Sequence, residues 1–331
     1  MIIRDYLSYK TGISSFLEYK GFNISYYHIF TEKPIEKIAK EYNAKFENFF
    51  YFIEDDKKTY ILYSDNISNK NKMKELWLKN FSFNIEGFFN TNKYNFLDPF
   101  DIYNTLFKIQ AIKKEVNINS LIEIMLVKTI TGLEIDNSFI VDNNNPSIFI
   151  FRLVMEEMFR RGIVDKGIII MDEYNILKYF IPEIEELKKV DHDKDYHPEG
   201  DGFDHLIETA SYIKTTDYAF AWATLLHDIG KPFSFKEENR KFSNHGIIGA
   251  NIVKNILTRM NYNDDIIKEA VFLVENHMIP AIIDKINYDK KEKIIKSPYF
   301  NKLLKLYKID ILSSNKDLSK YAKIKNYVTN F

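Results

Sequence analysis

Five helical segments in the last third of the chain each place a histidine or an aspartate on an otherwise apolar face, and this dictates how they must pack. "FDHLIETASYI" sets His205 one turn before Thr209, and "AFAWATLLHDIG", apolar nearly all round, ends on the adjacent pair His227 and Asp228. "NHGIIGANIVKNIL" opens with His245 in register with Gly249, Ile252 and Ile256. "DDIIKEAVFLVENHM" brings His277 into line with Leu273 and Val274, and "NKLLKLYKIDIL" puts Asp310 four residues after Leu306. A lone buried histidine is ordinarily a hydrogen-bonded core residue. Here four of the seven histidines and two aspartates share inward positions on separate helices. Burying two carboxylates without partners costs several kcal/mol each. The spacing therefore predicts a bundle whose six polar side chains converge on a divalent cation, one or two in number.

Composition narrows the donor set. The 331 residues include no cysteine, so disulfides, thiolate metal sites and cysteine nucleophiles are excluded, and a cation has only His, Asp and Glu to bind it. Only 11 glycines argue against a Gly-rich phosphate loop. A net charge of -1 gives no global attraction to nucleic acid. The lysine-rich stretch from 285 to 325 reads as a solvated helix face. The N-terminal "MIIRDYLSYK" is no signal segment and no run of 18 apolar residues occurs, so a cytoplasmic protein without membrane contact is expected.

Along the chain, "TEKPIEKIAKEYNA" (31–44) reads as a helix with Thr31 near its start and Pro34 in its first turn. "FFYFIEDDKKTYILYS" (49–64) reads as a hairpin about a charged four-residue turn, and 81–100 as a second strand pair turning at "NTNK". From about 105 the pattern is helical. A polar break at 141–147 precedes an amphipathic helix stopped by Gly162, and 190–202 is the strongest linker. The expected fold is α+β, with a mixed α/β domain over 1–112, a helical connector over 113–195 and an all-α helical bundle over 196–331.

His205, the pair His227–Asp228 and the distant Asp310 resemble the H…HD…D signature of the HD superfamily of metal-dependent phosphohydrolases. "HDIGKP" resembles the usual form of the doublet, and His245 and His277 match the extra histidines with which many members hold a second metal. The resemblance implies that His205, His227, Asp228 and Asp310 hold one cation and that Asp228 bridges to another on His245 and His277. It leaves Mn, Fe, Co, Ni, Zn and Mg undistinguished. Asp228 and Lys231 are the catalytic candidates, the lysine because it stands where it can touch a phosphate oxygen. Arg240 and Asn244, with Ser243, are candidate substrate contacts in the loop before His245.

"YHPEGDGFDHLIETA" (196–210) narrows the likeness to the HD domain appended to bacterial CCA-adding tRNA nucleotidyltransferases. Residues 80–106 resemble part of the polymerase-β-like head of those enzymes, and 6–25 can be laid on its first motif. On that overlay the phosphate-cradling glycines fall on Tyr9 and Lys10, the Arg-Asp pair on Ile13 and Ser14, and the metal-binding aspartates on Asn23 and Ser25. The later Arg-Arg-Asp falls on Leu78, Lys79 and Asn80. Asn and Ser cannot supply the charge that two-metal nucleotidyl transfer requires. The head is accordingly read as degenerate. The function implied is hydrolysis of a phosphoester on a nucleotide or an RNA 3′ end, such as a 2′,3′-cyclic phosphate or a 2′-phosphate, with tRNA a candidate partner. The alternatives are a working tRNA nucleotidyltransferase of the CCA-adding type and a non-catalytic RNA- or protein-binding module with a structural metal.

Overall fold

The computed structural model describes residues 8–11, 14, 17, 21–31, 35–47, 50–55, 58–64, 115–135, 139–190, 200–236, 242–314 and 318–329. Its contacts divide the chain into two compact units, Met1–Glu157 and Met158–Phe331. The division falls inside the stretch that the sequence assigned to a connector. The fold is α+β, a small sheet in the first unit and helices in the second. No helix among the described residues is long and apolar enough to cross a membrane.

In the first unit, strands β1 (Ser8–Thr11), β2 (Tyr26–Thr31), β3 (Lys45–Glu47), β4 (Phe50–Asp55) and β5 (Lys58–Ser64) form a sheet of order β1-β2-β5-β4-β3. β2 and β5 are parallel and the other neighbours antiparallel. The β4–β5 hairpin is the one the aromatic runs announce. Its strands reach further than the charged turn suggested, since Asp55 pairs with Lys58. Helix α1 begins at Ile35 and ends at Glu41, and Thr31 is the last residue of β2 rather than a helix start. The β-branched and aromatic run "YYHIFT" pairs on both sides and holds Thr31 in the sheet. The strand pair proposed for 81–100 lies outside the described residues.

Helix α2 (Ile118–Thr131) is buried continuously from Ile118 to Val127. Asn117 caps its start by accepting from the Asn119 amide. Gly132 ends it at φ 70°, a left-handed position that suits glycine. Before and after it, β6 (Glu115–Asn117) and β7 (Ile140–Asp142) form a short parallel pair absent from the sequence reading. The helix puts a carboxylate into the unit's core. Glu123 accepts from the Tyr26 hydroxyl at 2.9 Å and lies 2.8 Å from His28 Nε2, with Glu123 and His28 both fully buried. Glu157, on α3 (Ile148–Arg161), accepts from the Ser25 amide at 3.1 Å and its hydroxyl at 2.6 Å. Gly162 ends α3 as expected, at φ 70° with its amide on the Met158 carbonyl.

The second unit continues with α4 (Val164–Glu173) and short 3₁₀ turns, then α5 (Gly202–Ala210), α6 (Tyr218–Leu226), the two-residue strands β8 (Phe235–Lys236) and β9 (Phe242–Ser243), α7 (His245–Arg259), α8 (Asp264–Asn276), α9 (Tyr288–Ile295), α10 (Phe300–Ser314) and α11 (Ser319–Thr329). α6 is its centre. Every residue from Ala219 to Leu226 is buried, as expected of a helix apolar on all sides. The helices start where short polar side chains accept their first amides. Asp201 and Asp204 form a reciprocal capping box on α5, Asp217 caps α6 and Asn263 caps α8. Trp222 donates to the Tyr262 hydroxyl at 2.9 Å and meets Phe159 edge-on at 5.0 Å between centroids.

Candidate metal centre

All six inward residues named from the sequence come together in the second unit. His205 comes from α5, His227 closes α6, Asp228 follows it, His245 opens α7, His277 closes α8 and Asp310 lies in α10. His205, His227, Asp228, His245 and His277 are buried, and the Asp310 side chain is one-fifth exposed. They form two groups. In one, His205 Nε2 is 3.3 Å from His227 Nε2 and 3.4 Å from Asp310 Oδ1. In the other, His245 Nε2 is 3.0 Å from His277 Nε2, and the two lie 3.4 and 3.6 Å from Asp228 Oδ1. The second oxygen of Asp228 faces the first group, 3.4 Å from His227 Nε2 and 3.6 Å from His205 Nε2. One carboxylate thus stands between two clusters.

Hydrogen bonding shows what the clusters are built to hold. His245 Nδ1 lies 2.7 Å from the Phe242 carbonyl, and His277 Nδ1 lies 2.7 Å from the Val274 carbonyl. A carbonyl only accepts, so each Nδ1 carries a proton, and in the neutral ring Nε2 presents a bare lone pair. His227 is fixed in the same way by Thr224 at 3.0 Å. With neutral rings, His245 Nε2, His277 Nε2 and Asp228 Oδ1 form a group of acceptors with no hydrogen among them. Burial pushes the His277 imidazole below its ordinary value, and neighbouring His227 and His245 add to the effect against the opposing pull of Asp228. The ring therefore favours the neutral form that ligates a metal. Such a set of nitrogen and oxygen acceptors is satisfied by a cation, and the carbonyl partners are the support that orients histidine ligands. The donor chemistry fits a divalent metal.

Burial alone would raise the Asp228 carboxyl, but the Lys231 ammonium first, and then the contacts with His227, His245 and His277, hold it well below the usual carboxylate range. For Asp310, too, burial raises the pKa and the contacts with His205 and His227 overcome it. Both carboxylates stay ionised. Lys231, in the 3₁₀ turn Lys231–Phe233, is buried, and its Nζ lies 2.6 Å from Asp228 Oδ2. The sequence placed this ammonium for a phosphate oxygen; in the structure its partner is the bridging carboxylate. Asn244 is exposed and takes a left-handed φ of 60° just before His245. Arg240 lies outside the described residues, as does the side chain of Ser243.

Two devices that hold the site together escaped the sequence reading. Gly230 and Gly249 touch backbone to backbone. A Cβ on Gly230 would stand 2.1 Å from the His245 carbonyl oxygen and 2.5 Å from the Gly249 amide nitrogen. Gly246 lets α7 approach the Glu275 carbonyl of α8. These contacts bring the His227–Asp228 turn, His245 and His277 within reach of one another. On the other side, the Thr209 hydroxyl donates to the His205 carbonyl at 2.8 Å and lies 3.2 Å from Ser313, whose hydroxyl donates to the Asp310 carbonyl. Scarce glycines at "HDIG" and "HGIIG" were the available signal for the first device; nothing in the sequence pairs Thr209 with Ser313.

Residues 202–319 match the HD domain family. The A-adding tRNA nucleotidyltransferase of Deinococcus radiodurans is 32% identical over 138 residues, which is 39% of this chain and 31% of that protein. The multifunctional CCA protein of Psychromonas ingrahamii is 30% identical over 112 residues, 33% of this chain and 27% of that protein. The matches thus span under a third of each relative. Among solved structures, a tRNA-processing enzyme in an apo form aligns with 97% of this chain and 91% of its own at a TM-score of 0.43 and 10% identity. The chain carries an HD domain, and all six converging side chains lie within it.

Proposed function

We propose that the protein is a metal-dependent phosphohydrolase acting on a phosphoester of a nucleotide or an RNA end, such as a 2′,3′-cyclic phosphate or a 2′-phosphate. The observation that carries this reading is the acceptor-only group of His245, His277 and Asp228 beside the second group of His205, His227 and Asp310. A divalent cation held there would supply Lewis acidity toward a phosphoryl oxygen and lower the pKa of water. Around it, this chain's residues do the positioning. Asp228 divides its two oxygens between the clusters and fixes their separation. The backbone carbonyls of Thr224, Phe242 and Val274 aim the three imidazoles. Lys231 adds a buried positive charge at the carboxylate that both clusters share, where a phosphate's negative charge would be neutralised. Arg240 and Asn244, leading into His245, are the proposed substrate contacts.

The substrate class follows the relatives, one of them named an A-adding tRNA nucleotidyltransferase and the other a multifunctional CCA protein. A tRNA nucleotidyltransferase is the second reading, favoured by those names alone. Against it, Ser25, which falls where the resemblance expects a metal-binding aspartate, is bonded to Glu157 through both its amide and its hydroxyl. The first unit then serves as a scaffold or a binding surface. The test is to strip the protein of metal and assay bis-p-nitrophenyl phosphate and 2′,3′-cyclic nucleotides with Mn²⁺, Co²⁺ or Ni²⁺. Metal-dependent turnover that disappears in Asp228→Ala is expected; its absence rejects the proposal. Incorporation of labelled ATP or CTP into tRNA would establish the second reading instead.

A further inference from the structure

The lysines that the sequence presented as a solvated helix face are sorted by the fold onto two neighbouring helices. α9 with its cap, Tyr288 to Lys296, contains Lys290, Lys291, Lys293 and Lys296 against Asp289 and Glu292. α11 contains Lys320, Lys323 and Lys325 and no acid at all. Seven lysines face two carboxylates here, in a chain whose net charge is -1. The two helices meet where Lys291 donates to the Tyr327 hydroxyl at 2.5 Å, its ammonium 5.0 Å from the ring centroid. Helical spacing gathers Lys320, Lys323 and Tyr327 on one side of α11, and Lys290, Lys293 and Lys296 on one side of α9.

Four of these lysines stand without a described counter-charge. Lys290, Lys293, Lys320 and Lys323 are exposed, and no described carboxylate lies within ion-pair distance of them. Lys296, beside them, pairs with Glu292 at 2.5 Å. Charges of one sign repel across a Debye length of about 10 Å, so such a cluster is relieved by a polyanion. Aromatic rings are interleaved with it. Tyr288 is 62% exposed and Tyr327 38% exposed, leaving flat surfaces among the ammonium groups. Alternating cations and exposed rings suit a chain that repeats phosphate and base, and such rings are worth about 1–3 kcal/mol per stacked base. α11 also docks on α10, where Lys308 lies 5.8 Å from the Tyr321 ring, two residues before Asp310.

We infer that the α9–α11 face binds the phosphodiester backbone of an RNA strand, holding it to the same unit as the metal centre. This deepens the proposed function and takes its choice of RNA from that reading, but the binding itself is measured without catalysis. The experiment uses the full-length protein, a fluorescently labelled RNA hairpin with a single-stranded 3′ end, and anisotropy titrations across salt concentrations. The variants are Lys290→Glu/Lys293→Glu and Lys320→Glu/Lys323→Glu, with circular dichroism to verify folding. Each pair is expected to weaken RNA binding by at least about tenfold. The salt slope should fall by roughly 0.7–0.9 for each phosphate contact removed. Turnover of bis-p-nitrophenyl phosphate should not change, because it has no strand to hold. RNA affinity within about twofold of wild type in both folded variants overturns the inference. So does binding to phosphatidylserine vesicles in place of RNA, which would make the face a lipid surface. Failure of the hydrolase reading shows separately, as absent metal-dependent turnover with RNA binding intact.

Discussion

Adding one methyl group at Gly230 tests whether the site depends on contact between two backbones. The φ of Gly230 is -81°, which any residue adopts, so Gly230→Ala introduces no backbone strain and acts through sterics alone. Its Cβ would lie 2.1 Å from the His245 carbonyl oxygen, 2.5 Å from the Gly249 nitrogen and 3.0 Å from the Gly249 Cα. Unbonded heavy atoms rest at about 3.5 Å, so α7 must retreat by roughly 1 Å. His245 is the first residue of α7 and retreats with it, away from His277 at 3.0 Å and Asp228 at 3.4 Å. Overpacking of this kind costs about 1–3 kcal/mol, which in a unit of this size lowers Tm by about 2–12 °C. Displacement by about 1 Å is also enough to cost on the order of 100-fold in turnover. Calorimetry and metal analysis by mass spectrometry read the two effects. The expected variant is folded, melts earlier, and loses the cation of the His245 group while keeping that of the His205 group. Wild-type Tm together with wild-type metal content would refute the reasoning.

Other outcomes follow from the same geometry. Asp228→Asn should deplete metal from both clusters and lower turnover by more than the roughly 10–100-fold typical of losing a supporting group, measured by metal content and phosphoester hydrolysis. Because His277 titrates below its ordinary 6.5 in the folded chain, the unfolded chain takes up protons first as pH drops. Stability of the metal-free protein should therefore be full above about pH 6.5 and fall as pH descends toward the lower folded value, which Tm measured from pH 7.5 to 5.5 will show. Chelation should lower Tm and added metal restore it, by about 2.7 kcal/mol at a free concentration 100 times Kd. In the first unit, His28→Ala removes a hydrogen-bonding partner from the buried Glu123 and should cost about 1–3 kcal/mol in urea denaturation.

The convergence of the six side chains was legible because its message is periodic. Six side chains sit at helical spacing on apolar faces, and helices that bury those faces must bring them together. The α+β character was equally open in the aromatic runs of 49–64. What stayed hidden depends on contacts far apart in sequence. Nothing local tells Gly230 that it will meet the His245 carbonyl, or Thr209 that it will face Ser313. β6 and β7 are three residues each, too short to show alternation, and exist because each pairs with the other. Thr31 was misplaced because Pro34 is a good first-turn residue, while the pairing of β2 on both edges decided otherwise. The ion pair of Lys231 with Asp228 depends on a turn that only the folded chain fixes.

Helix α3 has a consequence for anyone cutting this protein into pieces. It runs from Ile148 to Arg161, and its last turns furnish Phe159 to the ring of Trp222 and a carbonyl to the Thr215 amide. A fragment trimmed to residues 202–319 would strip one wall from the fully buried Trp222 and leave that amide unanswered. Such a fragment should emit redder tryptophan fluorescence and express poorly. One begun ahead of Ile148 keeps the wall in place.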